Sequence, residues 1–141
     1  MKKTIVALVL LGSIPAMAQK VPSSKVPEAA RVSFTKNFPK AENAKWEKEK
    51  AGYEVNFREG KQVMSAVIMV DGTLKETEKS IPISSLPAKV KVYLAAHFKA
   101  EKIKEAAELK MADGSINYEA EVKGIDQIFD HEGNYLRSQK D

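Results

Sequence analysis

The sequence predicts an α+β fold in which one unit, a helix followed by four antiparallel strands, is written twice, with both helices on one face of the sheet. Three observations carry this expectation. Beyond residue 18 the six glycines fall in two sets of three, Gly52, Gly60 and Gly72, then Gly114, Gly124 and Gly133, between short strand-like runs. Each set follows a helix-like segment with a proline near its start, Pro27 and Pro87, sixty residues apart. After each segment the apolar period shortens from about four to two. Repetition at a fixed period marks a repeated supersecondary unit, and a duplicated sheet offers a broad open surface that suits binding better than catalysis.

Taken in order, residues 1–18 carry Lys2 and Lys3, the apolar stretch Ile5 to Leu11, Pro15, and then Ala16, Met17 and Ala18. This is the pattern of a secretory signal peptide, with cleavage expected before Gln19. A membrane anchor needs about 20 apolar residues, and this run is shorter and broken by Gly12, Ser13 and Pro15. Residues 19–25, with Pro22 and two serines, read as a flexible lead-in. Residues 26–141 then form a single domain of two repeats, 26–80 and 81–141. In the first, Val26, Ala30, Phe34 and Phe38 make one helical stripe that Pro39 ends. In the second, Leu86, Val90, Leu94 and Phe98 repeat the stripe in register, with Ser84 and Ser85 as candidate N-caps and Pro87 in the first turn. Tyr53, Val55 and Phe57 alternate with Glu54, Asn56 and Arg58, and Tyr118, Ala120 and Val122 alternate with Asn117, Glu119 and Glu121. The pairs Asp71-Gly72, Asp113-Gly114 and Glu132-Gly133 supply turns.

Composition narrows the function. There is no cysteine, which excludes disulfides, thiol catalysis and thiolate metal sites. Residues 19–141 hold 21 cations and 19 carboxylates with signs interspersed, so no basic stripe points to nucleic acid. Their length suits one hydrophobic core.

The segments "VP..A...F...FP.A", Trp46, "GYEVNF", "DG.L", "LP..V..YL...F" and "EGNYL" resemble the PepSY-like periplasmic family, whose fold is similar to that of the beta-lactamase inhibitor protein. The resemblance implies that the two units join into one eight-stranded sheet with a concave face. It further implies a periplasmic or exported protein that binds or inhibits a protein or peptide, with an envelope hydrolase as one candidate target and no cofactor. Stable membrane insertion is not expected; a homodimer stays compatible with the sequence.

Candidate sites follow from the outward positions. Glu54, Asn56 and Arg58, with Asn117, Glu119 and Glu121, are expected on the wet face of the two matching strands, where solvated carboxylates make poor general acids. No nucleophile stands beside a base, so no catalytic residue is assigned. The segment Val63 to Val70, "VMSAVIMV", is apolar at odd and even positions alike. It is either a sheltered central strand or an interaction surface, and Met64, Ala66 and Ile68 are expected to add apolar contact to the binding face. A second class of function, a small-ligand or metal sensor, rests on Asp130, His131 and Glu132, although a tight turn explains those acids equally well. His97 reads as a helix-flank histidine, and Trp46 as core.

Overall fold

The computed structural model describes residues 19–99 and 101–140. The expected signal segment and its cleavage point lie outside them. Both helices begin the same way. A 3-10 turn, Ser23–Lys25 or Ile83–Ser85, leads into an extended proline, and Pro27 and Pro87 stand at the N-caps of α1 (Glu28–Asn37) and α2 (Ala88–Phe98). Each proline carbonyl accepts the first helical bond, from Arg31 N at 3.1 Å and from Lys91 N at 3.2 Å. The prolines therefore sit one residue ahead of the expected first turn. Ser84 and Ser85 belong to the 3-10 turn, and no side chain caps α2.

Among the described residues nine strands form one antiparallel sheet in strict chain order: β1 (Gln19–Val21), β2 (Glu42–Lys48), β3 (Gly52–Glu59), β4 (Gln62–Met69), β5 (Leu74–Ser80), β6 (Ile103–Met111), β7 (Ile116–Val122), β8 (Ile125–Asp130) and β9 (Tyr135–Gln139). The ninth strand is β1. Residues 19–21, expected to be loose, pair with Lys48, Glu47 and Trp46 of β2, because an unpaired β2 edge offers backbone groups that an extended chain can satisfy. β5 and β6 pair along Glu76–Ser80, so the two halves share a continuous sheet.

The helix-covered face holds the main core. Val26, Ala30, Phe34 and Phe38 pack on Trp46, Tyr53, Val55, Phe57, Ala66 and Ile68. Phe34 meets Trp46 and Phe57 edge-on, with centroids 5.3 and 5.1 Å apart. In the second half Leu86, Val90 and Leu94 pack on Ala106, Ala120, Val122 and Phe129. Two turns lock the helices to the sheet. A Cβ on Gly72 would lie 2.8 Å from the Ala29 carbonyl oxygen, and one on Gly133 would lie 3.0 Å from Lys89 Cβ, so the β4–β5 and β8–β9 turns press on the first turns of α1 and α2.

This packing corrects one expectation. Met64, Ala66 and Ile68 pair with Phe57, Val55 and Tyr53 and therefore face α1; Ala66 and Ile68 are buried there and Met64 packs against them. They contribute nothing to the opposite face. The open-face residues of β4 are Val63, Ser65 and Val67, which pair with Arg58, Asn56 and Glu54. A shift of one residue exchanges the two faces of a strand, and an apolar run on both sides gives no cue to choose between them.

Candidate binding face

The face without helices is built from every second residue of the nine-stranded meander. Lys45 and Glu47 on β2 pair with Asn56 and Glu54 on β3; beyond β4, Glu78 and Glu76 of β5 pair with Leu109 and Met111 of β6. Asn117, Glu119 and Glu121 of β7 pair with Asp130, Ile128 and Asp126 of β8, and Arg137 of β9 lies opposite Ile128. The structure thus puts Glu54, Asn56, Arg58, Asn117, Glu119 and Glu121 on one face as two patches, with β4, β5 and β6 between them. Glu54 opposite Val67 and Glu119 opposite Ile128 hold matching places, each beside a bulge in the next ladder. Three strands, β4 to β6, lie between the two carboxylates, so they do not form an acid-base pair.

This face curves inward. Ala107, Leu109 and Ile128 are 3, 1 and 0 % exposed although no helix of the described residues covers them, and Met111 packs against the cluster. In a flat one-sided sheet these side chains would meet water. The Arg137 guanidinium on β9 also acts on the Glu76 carboxylate of β5, four strands away, which would be about 19 Å in a flat sheet. Burial is the larger influence on Glu76 and raises its pKa above the ordinary value; Lys75 and Arg137 pull it partly back.

The charge on this face is lopsided. Setting aside Glu42 and Asp130 at strand ends, the paired positions carry eight carboxylates: Glu47, Glu54, Glu76, Glu78, Glu105, Glu119, Glu121 and Asp126. Against them stand four cations, Lys20, Lys45, Arg58 and Arg137. Lys104 reaches in from β6 to Glu121, with Nζ to Oε1 at 3.3 Å. Sequence reasoning missed the middle of this face. β5, "LKETEKS", has little apolar alternation to mark its inner side, and the buried trio on β6 and β8 shares its face with Glu105 and Asp126, so alternation does not mark that face as covered.

The acidic turn at 130–134 is a structural staple. Asp130 Oδ1 accepts from the Glu132 and Asn134 backbone N–H groups at 3.0 and 2.8 Å, and Oδ2 accepts from Asn134 Nδ2 at 2.8 Å. Lys89 Nζ donates to Asn134 Oδ1 and ties the turn to α2. The Asn134 side chain, then its backbone N–H, hold the Asp130 carboxyl below its ordinary pKa. Both oxygens are spent on the turn, and among the described residues no three His, Asp or Glu side chains gather as a metal-binding group. His97 stacks on Tyr93, centroids 3.8 Å apart, with Nδ1 2.8 Å from the Tyr93 carbonyl oxygen, a helix-flank arrangement. Trp46 is core. A cleft of about 530 Å³ at the joint between the halves, lined by Asn37, Phe38, Leu74, Glu76 and Lys110 among others, holds no histidine. Among the described residues no helix is long and apolar enough to cross a membrane.

A family model described as "Putative beta-lactamase-inhibitor-like, PepSY-like" matches residues 14–65 and 68–137. Similar solved structures include a "putative periplasmic" protein from Bacteroides eggerthii, 18 % identical, with TM-score 0.70 over 81 % of this chain and 88 % of the other. A DUF2874 family protein from Bacteroides ovatus is 15 % identical, with TM-score 0.68 over 80 % and 86 %. A BLIP-like protein from Bacteroides fragilis is 18 % identical, with TM-score 0.65 over 84 % and 86 %. These likenesses concern the fold. Curated protein sequences gave no match.

Proposed function

Because the chain belongs to the beta-lactamase-inhibitor-like, PepSY-like family, we propose that it is a non-catalytic periplasmic protein that binds a protein or peptide on the helix-free face of its sheet. The observation that carries this reading is the inward-curving face itself, where the buried trio Ala107, Leu109 and Ile128 lies among dense charge. Beside that trio the half-buried Val67 and Met111 give accessible apolar surface among polar groups that fix register, as interfaces do. The signal-like N-terminus and the periplasmic description of the Bacteroides eggerthii neighbour support the compartment. We read the two halves as copies of one unit, since the prolines, helices, bulges and helix-pressing turns recur in the same order. Restraint of an envelope hydrolase is the form of binding that the inhibitor-like fold suggests.

The test is affinity capture from the envelope extract with the chain from Gln19 to Asp141, beside a Glu54→Lys, Glu119→Lys variant and a helix-side control, Glu28→Lys. The expected result is a prey lost only in the double variant. A prey held equally by all three would place binding elsewhere.

A further inference from the structure

Resting on the binding reading above, we propose that the occupant of the open face is an extended segment rich in lysine or arginine, alternating with apolar side chains, and presented by a partner protein. Two observations on the same surface point to this chemistry. The first is charge segregation. With Glu42 and Asp130 at strand ends set aside, eight of the 19 carboxylates of residues 19–141 lie on this face but only four of the 21 cations, which leaves 17 cations and nine carboxylates for the rest of the molecule. A nearly balanced chain is thus acidic on its open face and basic elsewhere. A concave low-dielectric wall lined by an excess of one sign of charge focuses its field on an occupant of the opposite sign, here a cationic one. The second is the apolar floor. Above the buried Leu109 and Ile128, Val67 and Met111 are half-buried on this face and Val63 is 42 % exposed, so apolar surface is accessible among the carboxylates. Lysine and arginine fit this combination because their methylene stems cover apolar surface while the charged end reaches an acid.

Geometry sets the length. Nine strands at about 4.8 Å span about 38 Å, which about twelve extended residues would cross. The burial that raises the pKa of Glu76 agrees with the placement, since a cation beside it would favour its charged form.

The experiment uses three labelled peptides of about that length, alternating leucine with lysine, glutamine or glutamate. Each is titrated into the chain from Gln19 to Asp141, with fluorescence anisotropy for affinity and backbone amide shifts for location. The lysine peptide is expected to bind at least tenfold more tightly than the glutamine peptide and to shift amides of β3 to β8. Raising the salt from about 20 to 300 mM should weaken it at least tenfold, since exposed charges are then screened over less than 10 Å. Replacement of Glu54, Glu76 and Glu119 by glutamine should weaken it to a similar degree. Where thermal melting shows that variant to be unfolded, Glu47→Gln with Glu76→Gln serves instead. Equal binding of all three peptides on the open face would overturn the cationic assignment while leaving the binding reading intact. No shift on the open face with any peptide would overturn both. A chain that sediments as a dimer with its open face protected would overturn the proposal by making a second copy the occupant.

Discussion

Replacing Ile68 by alanine tests which way β4 faces. Ile68 is fully buried and packs with Tyr53, Val55 and the α1 side chains, so truncation leaves a cavity beneath a helix. Three carbons are lost, worth about 2.4 kcal/mol at about 0.8 kcal/mol each; the cavity adds to this, so the cost should be about 3 kcal/mol within the usual range of 2–5. With an unfolding entropy of about 2.1 cal/mol/K per residue over about 120 residues, that corresponds to a fall in Tm of about 12 °C. Val63, on the other face of the same strand and 42 % exposed, should lose less than about 1 kcal/mol on truncation to alanine. Thermal melts followed by circular dichroism, with urea denaturation at constant slope as a check, measure both. Equal losses, or a larger loss at Val63, would refute the assignment of Met64, Ala66 and Ile68 to the helix side.

Three further outcomes rest on turns and titrations. Gly72 and Gly133 have φ of 90° and 84° and press on helix backbone or Lys89, whereas Gly60, with φ of 59°, has open space about it. Gly60→Ala should therefore cost only the left-handed penalty of about 1–2 kcal/mol, while Gly72→Ala and Gly133→Ala cost more, as read from urea midpoints. The carboxyls of Asp71, Asp113 and Asp130 are held below the ordinary value of 3.8, chiefly by the Thr73 backbone N–H, by Ser115 and by the Asn134 side chain respectively. A depressed carboxylate stabilises the fold above its unfolded pKa and loses that contribution as pH falls through the folded one, so Asp130→Asn should narrow the Tm gap between pH 7 and pH 2. Glu76 has the opposite sign. Its pKa is raised by burial, so its cost to the folded state grows as pH rises from the unfolded pKa through the folded one, and Glu76→Gln should raise Tm at pH 7 while leaving it nearly unchanged at pH 3.

The helices and their cores were legible because the stripes Val26, Ala30, Phe34, Phe38 and Leu86, Val90, Leu94, Phe98 have a period that only a helix places on one side. The strands carrying Glu54 and Glu119 were legible for the same reason at period two. Strand β1 was not, since "QKV" has no pattern of its own and is extended only because β2 offers it partners. The facing of Met64, Ala66 and Ile68 was illegible because both sides of β4 are apolar; only the ladder to Val55 settles it. The inward curve, and with it the burial of Leu109 and Ile128, comes from twist and bulges summed over nine strands, which no local window contains.

The most direct measurement of the central claim is site-specific photocrosslinking in the living envelope. A photoreactive phenylalanine analogue replaces Asn56 or Asn117 on the open face, or Val32 or Val92, which are exposed on the outer sides of the two helices. Binding on the helix-free face predicts the same crosslinked partner from Asn56 and Asn117 and none from Val32 or Val92. A partner captured from the helix positions, with the sheet positions silent, would contradict it.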